Sequence, residues 1–189
     1  PIILPQRSYF YRMKEEKVIL VNEHDEPIGL MPKMEAHEKA LLHRAFSVFV
    51  MNANGETMLQ QRAKDKYHSP LLWTNTCCSH QREGESNVEA GKRRLMEEMG
   101  FTTELKELFH FVYKAPFDNG LTEHEFDHVM IGYYEDEPHI NPDEVEDWKW
   151  MYPDYIKKDM DQNPQEYTAW FKIIFERFYD HLMENTPVQ

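Results

Sequence analysis

Lys17 to Asn22 (KVILVN) is a short β-branched run, and the acidic, proline-containing HDEPIG that follows reads as a turn. Phe46 to Met51 (FSVFVM) reads as a buried strand. Asn52-Ala53-Asn54-Gly55 supplies a hairpin turn, and Thr57 to Arg62 returns as a second strand. After a polar stretch from Asp65 to Pro70, WTNTCC (Trp73 to Cys78) again has strand composition. Ser86 then stands before VEAGKRRLMEEMG, where Val88, Leu95 and Met99 recur between charges and Gly100 ends the pattern. An N-cap hydroxyl, good helix formers and a terminal glycine predict a helix. Leu105 to Lys114 and Phe126 to Tyr134 predict two strands joined by APFDNG, and Glu144 to Met151 a last strand. Met34 to Leu42 reads as a short helix or an irregular loop. From Tyr167 to Met183, apolar residues at helical spacing (Trp170, Ile173, Ile174, Phe178, Leu182) predict an amphipathic helix packed back on the sheet. Strands, a central helix, more strands and a closing helix imply one α/β or α+β domain with a mixed sheet over residues 17–183. Residues 1–16 read as an N-terminal extension outside it.

Composition narrows the function. The 189 residues are 41% hydrophobic and 13% aromatic, enough to build a core. A formal net charge of −13 repels phosphate backbones and anionic lipid, which argues against a nucleic-acid or membrane-surface role but leaves room for a small anion held by local cations. The two cysteines, Cys77 and Cys78, are adjacent and form no disulfide framework, so a reducing cytoplasm is the expected compartment. No apolar run approaches the roughly 20 residues that span a bilayer.

Four groups of residues could carry chemistry. His37, His43 and His80, with the Glu123-x-Glu125 pair, are metal-like, because alternate strand residues share a face and imidazole with carboxylate suits Mn²⁺, Zn²⁺ or Mg²⁺. Cys77 and Cys78 offer a thiol, and strand alternation sends one to each face without saying which is reactive. On the helix, Arg94 and Glu98 lie one turn apart, either as a surface ion pair or as a phosphate-facing arginine beside a metal-binding glutamate. Lys33, Arg62, Lys66 and Arg94 could grip an anion, and the indole of Trp170 could face a cation in a dry pocket.

These segments resemble a known family. LLHRAFSVFVMNANGE, MLQQRAKDKYHSPLLWTNTCCSHQREGES, the RRLMEEMGF helix end and the EHE of LTEHEFDHV together are similar to the type 1 isopentenyl-diphosphate Δ-isomerases of the Nudix superfamily, from about Val18 to Leu182. Nudix hydrolases carry G-x5-E-x7-R-E-U-x-E-E-x-G-U, where U is a bulky apolar residue. Here Ser79 replaces the first glycine and Arg94 the glutamate after the arginine, while Glu85, Arg93, Leu95, Glu97, Glu98, Gly100 and Phe101 keep their places.

The resemblance implies a Nudix-like α/β/α sandwich with a mixed sheet. It implies an enzyme that moves the double bond of isopentenyl diphosphate to give dimethylallyl diphosphate. Cys78, Glu125 and Tyr113 fall on the family's catalytic positions, and His37, His43, His80, Glu123 and Glu125 on its metal ligands. Glu98 would hold the Mg²⁺ that arrives with the substrate, and the His/Glu site one divalent ion. Lys33, Arg62, Lys66 and Arg94 would face the diphosphate, with Trp170 lining the hydrocarbon pocket. The expected partner is this small diphosphate, with no nucleic acid or membrane, for a monomer or homodimer. Two rivals stand beside it: a Nudix hydrolase of a nucleoside diphosphate derivative, and a non-catalytic module whose histidines hold a structural metal.

Overall fold

The structure, a computed structural model, describes residues 16–117 and 119–185; nearly all of the expected N-terminal extension lies outside the described residues. In chain order the strands are β1 (Lys17–Val21), β2 (Pro27–Pro32), β3 (His43–Met51), β4 (Thr57–Arg62), β5 (Trp73–Thr74), β6 (Cys77–Ser79), β7 (Leu105–Pro116), β8 (Thr122–Tyr133) and β9 (Val145–Met151). The helices are α1 (Lys33–Glu38), α2 (Asn87–Met99), α3 (Pro153–Gln162) and α4 (Ala169–Asn185), with a 3₁₀ turn at Pro164–Glu166.

β3 is the spine of the sheet. Its apolar run is buried on both faces except at Arg44, as a central strand requires. One flank lies parallel to β8, from His43 opposite Glu125 to Met51 opposite Tyr133, and β8 pairs antiparallel with β7. The other flank is shared by three strands: β1 meets it at Leu20, β6 along Phe46–Val48, and β4 only at Met51 opposite Thr57. Alternation divides the spine's side chains between two cores. Phe49 and Met51 join Val129, Ile131 and the α3 and α4 residues Ile156, Trp170, Phe171, Ile174 and Phe178. Phe46, Val48 and Val50 join Cys77, Met130 and the α2 residues Ala90, Leu95 and Met99. Helices on both faces of a mixed sheet make the expected α/β/α sandwich.

β3 and β4 pair at their hairpin and then part, and the chain before the cysteines fills the wedge. The Thr76 hydroxyl accepts from the Val50 N–H at 2.9 Å and donates to the Met58 carbonyl at 2.6 Å, joining the parted strands. Asn75 Nδ2 donates to the carbonyls of Val48 and Cys77, at 3.2 and 2.8 Å. WTNTCC is therefore two short strands interrupted at Asn75–Thr76, where side chains do the bonding that a ladder would do elsewhere. The same wedge orients the cysteines: Cys77 is sealed under α2, and Cys78 is half-buried on the α4 side.

α2 begins and ends as its sequence predicts. Ser86 and Glu89 form a reciprocal capping box, and Gly100 closes the helix in the left-handed region at φ 71°. A Cβ at Gly100 would sit 2.3 Å from the His139 carbonyl oxygen. Gly100→Ala is therefore expected to lose more than the ~1–2 kcal/mol of the left-handed backbone alone. Calorimetry should record a fall of at least about 4 °C in Tm.

Two elements differ from the sequence reading. The turn after β1 is confined to the residues around Asp25, and Pro27 and Gly29 of HDEPIG belong to β2, an exposed outer strand of the kind that tolerates proline. Helix α3, with Pro153 at its first turn and Ile156 and Met160 buried, was not anticipated. Among the described residues, no helix is long and apolar enough to cross a membrane.

Candidate active site

Three segments far apart in sequence bring His37 of α1, His43 at the start of β3, His80 just after β6 and Glu125 of β8 together. One donor atom from each lies within 4.8 Å of the others, and all four residues are buried. The ring centroids stand 5.0–5.9 Å apart. His43 Nδ1 lies 2.8 Å from the Leu41 carbonyl, a contact that fixes the ring and turns Nε2 into the cluster. Both ring nitrogens of His37, His43 Nε2 and His80 Nδ1 have no hydrogen-bond partner among the described residues, an unfavourable state for buried donors unless a ligand completes them. Burial, then the cationic forms of His80 and His43, lowers the His37 pKa to about 2 and keeps the ring in its ligating neutral form. The donor set fits a divalent ion of the Mn²⁺, Zn²⁺ or Mg²⁺ kind.

Beside this cluster stands a coupled pair of carboxyls. Tyr113 faces Glu125 across the β7–β8 ladder, and its hydroxyl donates to Glu125 Oε2 at 2.6 Å and lies 3.2 Å from Glu123 Oε2. Burial would raise both acids. His80 Nε2 at 3.1 Å and His43 Nε2 at 3.6 Å from Oε1 overturn that for Glu125, which is held well below the usual carboxylate range. Burial and the neighbouring Glu125 charge push Glu123 well above it. The two acids of the pair are thus driven in opposite directions. Glu123 shares the site through Tyr113 and is not among the four converging donors.

Cys78 projects from the same sheet face. It lies opposite Ser47, as His43 lies opposite Glu125, and residues 43 and 47 of one strand point the same way. Burial pushes the Cys78 thiol up, with Glu98, Glu123 and Glu125 adding to the shift and Arg62 opposing it, so the sulfur keeps its proton. Trp170 is buried in the core above this face. The Arg62 guanidinium sits 5.0 Å from the centre of its ring, and Phe117 and His68 meet it edge-on at 6.0 and 5.5 Å.

Three of the cations, Lys33, Lys66 and Arg94, act on Glu144. Lys66 bonds the Glu144 carboxylate, and Arg94 reaches Glu97 and Glu98 at 2.7 Å and Glu144 at 3.5 Å. Lys33 Nζ lies 3.4 Å from Glu16; burial would lower its pKa, but Tyr67 and Glu16 raise it. Arg62 Nη2 donates to the His68 carbonyl at 3.2 Å. Arg93, next to Arg94, plays a different part: it grips Glu85 through two bonds of 2.6 and 2.9 Å and donates to the His80 carbonyl at 3.2 Å, which ties α2 to the histidine loop.

Sequence reasoning did not find Glu144, His68 or the Asn75–Thr76 staple. The staple had a signal, two polar residues inside a strand-like run. Glu144 had none, since its partners Lys66 and Arg94 lie far from it in the chain.

Comparison with known proteins places the chain. A NUDIX domain model matches residues 41–171. A curated protein of Aromatoleum aromaticum named isopentenyl-diphosphate Delta-isomerase 2 is 48% identical over 163 residues, covering 86% of each chain. One of Pectobacterium atrosepticum, named isopentenyl-diphosphate Delta-isomerase, is 47% identical over 165 residues, covering 87% of this chain and 92% of its own. The chain belongs to the isopentenyl-diphosphate Δ-isomerase family. Solved structures agree on the fold of this isomerase-family chain. One from Deinococcus radiodurans superposes with a TM-score of 0.73 at 21% identity, over 87% of this chain and 99% of its own. A MutT protein from Methanosarcina mazei gives 0.61 at 19%, over 77% and 96%.

Proposed function

We propose that this chain interconverts isopentenyl and dimethylallyl diphosphate, with Cys78 and Glu125 as its proton-transfer groups. The observation that carries the reading is the pairing, on one sheet face, of a thiol that keeps its proton with a carboxylate that has lost its own. An isolated alkene is a very weak base, so its isomerisation needs an acid on one side and a base on the other. The thiol delivers a proton to the terminal methylene carbon, leaving a tertiary cation. The carboxylate then removes a proton from the carbon nearer the diphosphate, which completes the allylic double bond. Both steps reverse through the same groups.

The remaining residues serve that transfer. Trp170 presents an indole face to the cation and, with Phe117 and His68, keeps out the water that would capture it as an alcohol. Tyr113 fixes Glu125 through a 2.6 Å bond. Lys33, Arg62, Lys66 and Arg94 hold the diphosphate, and Glu98, among Arg94 and Gln60, would take the Mg²⁺ that comes with it. His37, His43, His80 and Glu125, with Glu123 beside them through Tyr113, would hold a second divalent ion, whose positive charge would tune the proton affinity of Glu125.

A Nudix hydrolase of a nucleoside diphosphate derivative is the reading this displaces: Arg94 stands where hydrolases carry a carboxylate, and hydrolysis has no use for the thiol. Purified protein with isopentenyl diphosphate and Mg²⁺ should yield an acid-labile allylic product, and chelation should abolish its formation. Release of phosphate or pyrophosphate without movement of the double bond would refute the proposal.

A further inference from the structure

The opposite face of the same strands carries a second set of donors. His110 of β7 and His128 of β8 are directly opposed across the antiparallel ladder, with ring centroids 5.7 Å apart. Glu107 joins them although it lies three residues from His110, a spacing that in a regular strand points two side chains to opposite faces. A bulge between Glu107 and Phe109 absorbs the extra residue and returns Glu107 to the face of His128, with its Oε2 3.8 Å from His128 Nδ1.

The surroundings prepare these atoms for a ligand. His128 is 6% exposed, and its Nε2 is engaged by Asp25 Oδ2 at 2.9 Å, which leaves Nδ1 buried and without a hydrogen-bond partner. Asp25 is itself fixed: Arg44 donates to its Oδ1 at 2.8 Å and its carbonyl at 2.6 Å, in a left-handed conformation at φ 61°. Glu107 is anchored by one oxygen, which accepts from Asn87 Nδ2 at 2.7 Å, and turns the other toward His128. Phe126 packs against both rings, at 5.1 and 5.4 Å. A histidine whose far nitrogen is held by a carboxylate, beside a half-anchored glutamate, is the supporting arrangement of a metal ligand. Two bonds of about 2.1 Å reach across a 3.8 Å gap.

We infer that Glu107, His110 and His128 form a second divalent transition-metal site, on the sheet face away from the catalytic residues and suited to Zn²⁺, Ni²⁺ or Cu²⁺. Glu107 and His128 stand ready as two ligands 3.8 Å apart, and the exposed His110 ring, opposite His128 across the ladder, completes the set by a side-chain rotation, leaving the remaining coordination to water. The site is independent of the proposed isomerase reading.

The test uses the full chain with Zn²⁺ loaded at the His37 cluster and excess removed. It is then titrated with Ni²⁺ by calorimetry, with both metals counted by mass spectrometry. One Ni²⁺ per chain is expected in addition to the retained Zn²⁺. His110→Gln, which alters an exposed side chain, should weaken Ni²⁺ binding at least tenfold and leave diphosphate isomerisation unchanged. Asp25→Asn, which weakens the support of His128 together with the ion pair to Arg44, should weaken it about 10–100-fold. A wild-type chain that takes up no Ni²⁺ beyond exchange with Zn²⁺, or a His110→Gln chain that binds Ni²⁺ as tightly as wild type, overturns the inference.

Discussion

Replacing Cys78 with alanine is expected to lower isomerase turnover by about 10²–10⁴-fold, the span found when a positioned acid or base is removed. Cys78→Ala should bind diphosphate with little change, because the cations that hold it lie elsewhere. Cys78→Ser should recover little, since a hydroxyl is a weaker acid than a thiol. The adjacent residue is the control. Cys77 is fully buried among Ala90, Leu95 and Met99 on the other side of the sheet. Cys77→Ala removes one buried sulfur, so it should cost about 1 kcal/mol of stability and keep turnover within about tenfold of wild type. Steady-state kinetics on both variants, with circular dichroism to confirm folding, decides between the two sulfurs. Near-normal turnover in Cys78→Ala, with loss in Cys77→Ala, would assign the chemistry to the wrong face.

That contrast could be drawn only in part before the structure. Period-two alternation separates Cys77 from Cys78 and puts Glu123 with Glu125, because both facts lie within one short stretch of chain. The capped helix ending at Gly100 and the apolar spine from Phe46 to Met51 were equally legible, since cap, stop and burial pattern are local. The β2 strand was hidden by Pro27 and Gly29, which break most strands but suit an exposed outer one. Helix α3 was hidden by its shortness and charge; only Pro153, Ile156 and Met160 turn inward. In the site, the unreadable part was convergence. No local rule says that Tyr113 pairs with Glu125, that Arg93 ties α2 to the His80 loop, or that His37, His43 and His80 meet, because each depends on strand register. The resemblance to a family placed these residues by correspondence. The fold supplies the physical reason, a spine strand flanked on one side by β8 and on the other by the cysteine strand β6.

Glu125→Gln is expected to have an effect at least as large, for two separable reasons. The amide cannot accept a proton, and it replaces an anion that His43 and His80 hold ionised. Turnover should therefore fall by about 10³-fold or more, and divalent-metal content of the purified protein should fall with it. Tyr113→Phe separates the two effects. It removes the 2.6 Å bond to Oε2 and leaves the Oε1 contacts with His80 and His43 in place. Metal content should stay at the wild-type level while turnover drops by a smaller factor, about 10-fold to 100-fold, through a carboxylate that is less well aimed. The deciding measurement is Glu125→Gln with its metal restored by excess Mn²⁺, Zn²⁺ or Mg²⁺ and the occupancy verified. If the reloaded variant regains near-wild-type turnover, Glu125 is a ligand alone and the base lies elsewhere. If it stays inactive with the metal in place, the Glu125 carboxylate is the group that takes the proton from carbon.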